Sequence, residues 1–449
     1  MLITGMIVGI FVLGYLLIAL EHPLKLDKTA PALFIGMVTW ALYAIFGESI
    51  TPANAEIAQS IQEHGFLHFI EHELSHHLFE ISNILFFLLG AMTIVEVIDL
   101  HDGFHVITSR IKTKSKRRLM WIVCILTFFL SALLDNLTTS IVMMSLMTKL
   151  VKDKDLRLIY AGMIIISANA GGAWSPIGDI TTTMLWIGGQ ISVIEVVKWL
   201  IIPSMVCMIV PAIILSFSKS MEGEYEAKPL ITNYITTPFE RTFILALAVG
   251  CLVFVPIFKT VTHLPPFMGM LFGLSILWLV TEFIHKEKDF AQKSNLSVIK
   301  ALSKIDAPSV LFFLGILLAV SCLQTIGLLR GVASFLTDTI GNYDIIVMVI
   351  GVLSAIVDNV PLVAASMGMY DIADTADTMF RIDGKFWIFL AYCAGTGGSM
   401  LIIGSAAGVA VMGIEKVDFI WYLKKFGPLA FAGYIAGAIT YLAMYSMFT

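Results

Sequence analysis

The chain has 449 residues, of which 58% are hydrophobic and 14% are charged, and its formal net charge is -5. Because soluble proteins carry roughly 25% charged residues, this composition excludes an ordinary soluble domain and indicates an integral membrane protein surrounded by the lipid bilayer. The small net charge argues against nucleic acid as a partner.

Apolar segments of about the 20 residues needed to cross a bilayer recur along the whole sequence. Polar linkers are predicted at 218–240 and 285–306. Full crossings are predicted at approximately 2–20, 30–47, 80–98, 158–189, 199–217, 241–258, 266–284, 307–329, 386–413 and 427–447. The expected fold class is an all-α polytopic membrane protein with ten full crossings.

The segment 119–150 is apolar, and the basic clusters Arg110–Arg118 and Lys149–Arg157 lie at its two ends. A single helix of this length would be about 46 Å long, against a hydrocarbon core of roughly 30 Å, and would put one basic cluster outside. Lysine and arginine concentrate on the cytoplasmic side of membrane proteins. We therefore predict a re-entrant hairpin, with Asp135 and Asn136 near its tip, that returns both ends to the cytoplasm.

The segment 345–369 matches the first hairpin in pattern but has acidic neighbours, Asp344 and Asp371. It is predicted to enter the membrane from the outside, so the two hairpins are inverted. Together with the crossings, this topology places both chain termini outside.

The same signals occur twice in the same order. Leu85–Leu88, Ser131–Asn136 and Gly171–Gly172 are followed, 223 to 226 residues later, by Leu311–Leu314, Ser354–Asn359 and Gly397–Gly398. This duplication predicts two inverted repeats, 1–217 and 218–449, each with a hairpin and a broken transmembrane helix. A duplicated membrane protein with an Asp-Asn pair inside an apolar stretch of each copy is typical of ion transporters.

The broken helices are predicted at about 158–189 and 386–413, because residues 167–183 and 394–408 are rich in glycine and hydroxyl side chains. Glycine and proline unwind a helix and free its carbonyl groups. Unwound helices near the middle of the membrane are where transporters coordinate small cations.

Asp135, Asp179 and Asp358 lie in the hairpins and broken helices, whose apolar parts contain no lysine or arginine. A lone carboxylate at the centre of a membrane helix costs at least about 2.5 to 3.5 kcal/mol, so it needs a proton or a cation. Protons and hard cations would then compete for the same carboxylates. A site built only from oxygen ligands favours sodium or lithium.

Two sets of polar side chains are the candidate cation and proton ligands. The first set is Ser131, Asp135, Asn136, Thr139, Asn169, Asp179, Thr181 and Thr182, and the second is Ser354, Asp358, Asn359, Thr396 and Ser399. The alternative is that the Asp-Asn pairs only cap helices and the glycine pairs only permit close packing. We expect no catalytic residues and no cofactor besides the transported sodium or lithium and protons.

The segment His72–His76 matches H-E-x-x-H, the helix of zinc proteases, with Glu96 downstream as a third ligand. A membrane zinc protease is therefore one alternative function. The wider histidine run, from His64 to His77, favours an amphipathic surface helix outside the membrane instead. We expect no zinc site.

The run Leu85–Glu96, together with Ser131–Thr139 and Asn169–Thr183, closely resembles the NhaD-type sodium/proton antiporters of the ion transporter superfamily. The resemblance covers nearly the whole chain. It implies exchange of sodium or lithium for protons across a bacterial inner membrane, by a homodimer whose transport parts move against a scaffold in an elevator-like manner. Carried over by position, the ion-site pattern of the family falls on Ser131, Asp135, Asn136, Asn169, Asp179, Thr181, Thr182, Ser354 and Asn359.

The second repeat departs from the first, because Pro361 stands where Thr138 would be and Ser405 replaces Asp179. The second half-site is thus poorer in charge. Two functions of the same superfamily are alternatives: a sodium-coupled carboxylate symporter, and a permease for arsenite or another metalloid. Three buried acids would repel a dianionic substrate, which favours cation exchange.

Overall fold

The structure, a computed structural model, describes residues 2–50, 55–109, 111, 113–226, 236–373 and 378–448. Within these ranges the chain forms helices, turns and one isolated antiparallel bridge between Ser115 and Glu224. The helices are α1 Leu2–Ala19, α2 Glu21–Leu24, α3 Thr29–Phe46, α4 Ala55–His64, α5 Phe66–Leu100, α6 His105–Thr108, α7 Lys116–Leu134, α8 Asn136–Leu150, α9 Lys154–Ala173, α10 Ile180–Ile187, α11 Val193–Ser216, α12 Pro238–Thr262, α13 Pro266–Ile284, α14 Phe290–Asn295, α15 Val298–Leu302, α16 Ala307–Thr325, α17 Leu328–Ile340, α18 Tyr343–Leu353, α19 Asn359–Met369, α20 Lys385–Gly397, α21 Ala406–Glu415, α22 Phe419–Lys425 and α23 Gly427–Phe448. Short 3-10 turns lie at Gly47–Ser49 and Lys219–Met221.

The predicted fold class is confirmed over the described part of the chain. Nine helical segments there are long and apolar enough to cross a membrane, or ten if α17 and α18, which are bent by 116°, count as one span. The predicted crossing 266–284 coincides with α13. Arg110 and Lys112 of the predicted basic cluster lie outside the described residues.

The first hairpin consists of α7 and α8, which pack against each other. Its two ends are joined by the segment 223–226. The backbone N–H of Lys116 donates to the carbonyl of Gly223 at 3.2 Å, and that of Lys152 donates to the carbonyl of Glu226 at 3.1 Å. Both ends therefore lie at one face of the protein, which we call the basic face, as a re-entrant hairpin requires.

The second hairpin consists of α18 and α19, and its ends also lie together. The rings of Tyr343, at the start of α18, and Tyr370, just after α19, have centroids 6.0 Å apart. Asp344 accepts a hydrogen bond from Lys385 Nζ at 2.6 Å, at the start of α20. We call the face that holds these ends the opposite face.

The two broken helices run between these faces in opposite directions. The first begins at Lys154 beside the first hairpin and ends near Gln190, whose carbonyl accepts the backbone N–H of Asp383 at 2.9 Å, just before α20. The second, α20 and α21, returns to the basic face, where Glu415 accepts a hydrogen bond from Arg157 Nε at 2.8 Å. The repeats are therefore inverted, while the exact division at residues 217 and 218 stays a prediction.

Individual backbone contacts also occur twice. A Cβ atom added to Gly171 would lie 2.2 Å from the carbonyl oxygen of Phe128, and one added to Gly397 would lie 1.9 Å from that of Gly351. Each glycine thus lets a broken helix touch the hairpin of its own repeat. The two pairs are 223 and 226 residues apart, which matches the spacing of the sequence motifs.

The hairpins and broken helices pack together, and the repeats interlock. The helix α8 contacts α21, and α10 contacts α19, so the second half of each broken helix packs on the hairpin of the other repeat. Outside this group, α3 packs against α16 and α5 packs against α13. The interlocking brings the two hairpin tips close to each other.

Two elements differ from the sequence prediction. The crossing predicted at 80–98 is a 35-residue helix, α5, about 52 Å long at 1.5 Å per residue, which extends well beyond a hydrocarbon core of roughly 30 Å. Its polar first turns carry most of the histidines that were predicted to form a separate surface helix. The helix α17 was not predicted, because its apolar residues occupy only one face, with Leu329 and Ala333 buried.

We expect Gly171→Ala to destabilise the protein by about 1 to 3 kcal/mol, because its new methyl group meets backbone rather than a movable side chain. Thermal unfolding followed by size-exclusion chromatography measures the loss. The matched control is Gly250→Ala on α12, where an added Cβ has nothing within 4 Å. Equal melting temperatures for the two variants would contradict the close packing of α7 and α9.

Candidate ion site

A cavity of about 50 Å³ lies between the two hairpin tips and the break in the first broken helix. The helices α5 and α16 and the residue before α3 complete its wall. The polar and charged side chains that line it belong to Lys28, Asp135, Asn136, Asp179, Thr183, Ser309, Asp358 and Asn359. The three predicted acids therefore share one cavity, whereas the sequence analysis divided them between two sites.

Asp135 forms the tip of the first hairpin. Its φ of 79° is uncommon for a residue other than glycine, and it reverses the chain between α7 and α8. The side chain stabilises this turn, because Thr138 donates its backbone N–H to Oδ1 and its hydroxyl to Oδ2, both at 2.8 Å. Each carboxylate oxygen has two lone pairs, so both can still accept a proton or a cation.

Asp179 lies at the break between α9 and α10 and is only 2% exposed. Its Oδ1 accepts the backbone N–H of Thr181 at 3.2 Å and so caps α10. Its Oδ2 is buried and has no hydrogen-bond partner among the described residues, and the same is true of the Thr139 hydroxyl. Buried polar atoms are nearly always paired, so this orphaned oxygen is suited to an additional ligand.

Asn169 connects the two repeats behind the cavity and is fully buried. Its Oδ1 accepts a hydrogen bond from Asn136 Nδ2 at 3.0 Å. Its Nδ2 donates to the hydroxyls of Ser399 at 3.0 Å and Ser405 at 2.9 Å. Ser399 therefore belongs to the network of the first predicted set, and Ser405 joins it although the prediction did not include it.

Four of the other predicted hydroxyl ligands donate to backbone carbonyls, either of a neighbouring helix or of their own helix. Ser131 Oγ donates to the carbonyl of Ala168 at 2.6 Å, and the equivalent Ser354 Oγ donates to that of Gly351 at 2.7 Å. Thr396 and Thr182 also donate to backbone carbonyls, at 2.6 Å and 3.3 Å. These four hydroxyls do not line the cavity.

Lys28 is a charged residue at this site that the predicted ligand sets did not include. Its Nζ donates to Asp358 Oδ2 at 3.2 Å and lies 4.4 Å from the centroid of the Phe312 ring. Asp358 Oδ1 accepts the backbone N–H of Val360 at 3.2 Å and caps α19. No signal in the sequence connects residues 28 and 358, because they come together through the packing of α3 against α16 and of α16 against α19.

The capping alternative is correct for one oxygen of each aspartate, since α8, α10 and α19 all begin at these carboxylates. Capping does not exclude ligand binding, because Asp179 keeps a second oxygen without a partner. The positive ends of three helix dipoles thus converge on the cavity and stabilise negative charge there.

The three residues of the possible zinc protease site do not lie together. Glu96 lies 20 residues after His76 on the same helix, so about 30 Å separates them. Glu96 instead accepts a hydrogen bond from Lys304 Nζ at 2.9 Å, at the basic face. It therefore cannot complete a metal site with His72 and His76.

Comparison with known proteins agrees with this architecture. Residues 15–380 match the citrate transporter (CitMHS) family. Sodium/proton antiporter 1 of Arabidopsis thaliana is 47% identical over 439 residues, which are 98% of this chain and 72% of that protein. Sodium/proton antiporter 2 of the same plant is 43% identical over 97% of this chain and 99% of its own length.

A bacterial relative is similar over the same extent. The Na(+)/H(+) antiporter NhaD of Vibrio cholerae is 29% identical over 97% of this chain and 90% of that protein. This chain belongs to the NhaD-type transporters of the ion transporter superfamily. The NhaD-type fold predicted from the sequence motifs is thereby confirmed, and its relatives come from both plants and bacteria.

In this NhaD-type transporter, we expect Asn169→Ala to destabilise the link between the repeats by about 2 kcal/mol, since three hydrogen bonds within a membrane protein contribute about 0.6 kcal/mol each. The melting temperature of the purified variant measures the effect. Asn295→Ala, at an exposed residue of α14, is the control and should melt like the wild type. An unchanged melting temperature for Asn169→Ala would show that the network contributes nothing.

Proposed function

We propose that the chain is a secondary active antiporter that exchanges sodium or lithium for protons, and that protons and cations compete for Asp135 and Asp179. The observation that carries the proposal is the single cavity lined by three carboxylates and one ammonium group. The names of the plant and bacterial relatives support the same activity.

The charges around the cavity explain why a cation is needed. Lys28 is the only basic residue among those described in its lining, and it is paired with Asp358. Asp135 and Asp179 are then left without a basic partner in a largely apolar enclosure. Since burying an uncompensated carboxylate is costly, protons or alkali ions must supply the missing positive charge.

The geometry also provides the oxygen ligands that a hard cation prefers. Asp179 Oδ2 has no partner of its own, and Asp135 and Asn136 line the same cavity. A sodium ion bound there would exclude a proton from the same carboxylates. Exchange follows if the protein changes the accessible side only when one of the two is bound.

A carboxylate symporter is the second candidate, and two observations favour it. The matching family is described as a citrate transporter, and Lys28 with three helix dipoles could hold an anion. The cavity of about 50 Å³ is much smaller than the roughly 300 Å³ of ordinary small-molecule sites, and two unpaired acids would repel the substrate. Sodium-dependent uptake of labelled citrate or succinate into vesicles would establish this function.

Three further features stay predictions, the first two from the family resemblance and the third from the distribution of basic residues along the crossings. They are the bacterial inner membrane, the homodimer and the external position of both termini. The relatives include plant proteins as well as bacterial ones, so the comparisons do not identify the membrane.

We expect Asp135→Asn and Asp179→Asn each to abolish sodium-dependent proton movement, because an amide can neither carry the proton nor neutralise the cation. Purified protein in vesicles with an entrapped pH-sensitive dye measures the exchange on addition of sodium, lithium or potassium. Asp338→Asn is the control, because this aspartate is exposed on α17 and does not line the cavity.

Wild-type exchange by the Asp135→Asn variant would overturn the proposed role of this carboxylate. Loss of exchange in Asp338→Asn as well would mean that the assay reports a general loss of charge rather than the ion site.

We expect Lys28→Gln to move the pH of half-maximal exchange upward by roughly one unit, the size of effect that a neighbouring charge produces. Removing the ammonium group leaves the cavity more negative, so protons stay bound to higher pH and sodium enters later. The same vesicle assay across pH measures the shift. Lys25→Gln, three residues away and exposed, should keep the wild-type profile. A downward shift in Lys28→Gln would contradict the proposed charge balance.

A further inference from the structure

We propose that His76, His77 and Glu80 bind a divalent transition metal, with Zn²⁺ as the best-suited ion, at the opposite-face end of α5. The site is separate from the ion cavity, and its existence does not depend on the proposed transport activity. It also departs from the sequence prediction that no zinc site exists.

The three side chains already lie close together. One ligand atom from each comes within 4.8 Å of the others. Glu80 Oε2 is 3.6 Å from His77 Nδ1 and 4.0 Å from His76 Nδ1. Zinc bonds to nitrogen and oxygen are about 2.0 to 2.2 Å long, so only small rotations are needed to close the site around an ion.

The hydrogen-bond partners around His77 favour a proton on Nε2. Thr325 uses its hydroxyl hydrogen to donate to the carbonyl of Ser321 at 3.0 Å. With its hydrogen used in this way, the same hydroxyl oxygen, 3.2 Å from His77 Nε2, is placed to accept a hydrogen bond from that nitrogen. Glu73 Oε2, 3.8 Å from Nε2, also favours a proton on this nitrogen. Neutral His77 consequently presents a bare Nδ1.

This bare nitrogen faces another acceptor. A lone pair of His77 Nδ1 and a carboxylate oxygen of Glu80 lie 3.6 Å apart, and they repel each other unless a proton or a metal cation lies between them. Two imidazole nitrogens and one carboxylate oxygen form a set that zinc favours, with a fourth position left for water. The hydrogen bond from His77 to Thr325 is the outer contact that fixes the ring of a metal-binding histidine.

The surroundings allow both binding and closure. The His77 side chain is 8% exposed and therefore fixed in place, whereas those of His76 and Glu80 are 59% and 57% exposed and free to turn. His77 and Glu80 also line a second cavity of about 260 Å³, between α5, α10, α16 and α19. A metal at this position would lie at the mouth of that cavity.

Isothermal titration of tag-free protein in detergent with zinc chloride tests the proposal. We expect one zinc ion per chain, with affinity weakened at least about tenfold by His76→Ala or Glu80→Gln, which remove ligands, and about tenfold by Thr325→Val, which removes the outer contact. His68→Ala is the matched control, because this histidine is exposed on the same helix and should leave the affinity unchanged.

Several outcomes would overturn the site. These are no zinc binding by the wild type, wild-type affinity in a His76→Ala and Glu80→Gln double variant, or equal weakening by His68→Ala, which would indicate general attraction to surface histidines. Calcium competing as well as zinc would exclude the transition-metal class. Unchanged affinity in Thr325→Val would exclude the assignment of the His77 tautomer.

Discussion

Buried helix ends are the constraint on which this structure depends. Four helices, α8, α10, α19 and α21, begin inside the protein, where water cannot satisfy their first backbone N–H groups. The chain meets this requirement with side-chain caps, namely Asp135, Asp179, Asp358 and Ser405. A carboxylate needs only one oxygen to cap a helix, so the other can make a further contact: Asp358 Oδ2 accepts from Lys28, and Asp179 Oδ2 is left for a ligand. The interruptions that create the cavity therefore also place the acids in its wall, and the capping and binding roles come from the same residues.

The two repeats share the arrangement of a hairpin and a broken helix but carry unequal charge. In the first, Asp135 and Asp179 have no basic partner among the described residues of the cavity lining. In the second, Lys28 pairs with Asp358, and a serine caps the helix where the first repeat has Asp179. The second repeat instead supplies the hydroxyls of Ser399 and Ser405 that orient Asn169. The two repeats thus form one shared site. The first repeat carries the carboxylates without a basic partner, and the second supplies the hydroxyl groups that orient Asn169.

The structural features that depend on residues close together in the chain were predicted well from the sequence. Glycine pairs, apolar length and flanking charge were enough to locate both hairpins and both broken helices, because backbone breaks are local events. The hydrogen bonds of Asn169 to Ser399 and Ser405 and the Lys28 contact could not be predicted, since they join residues separated by more than 200 positions and depend on how helices pack. The length of α5 was missed because its first turns lie outside the apolar stretch, and the hydropathy pattern describes only that stretch.

The two cavities bear on how an ion could change sides. Both are lined by α5, α10, α16 and α19, at different heights along the same helices. Between them lie apolar side chains of one buried cluster, including Leu88, Met184, Phe313 and Val360. A bare ion crossing this layer would lose its ligands in an apolar region, at high cost. Sliding the hairpins and broken helices along α5 and α16 would keep the ligands in place, and apolar contacts oppose such sliding weakly because they have no preferred direction. The apolar layer thus gives a physical reason for the elevator-like movement that the family resemblance implies, which itself stays a prediction.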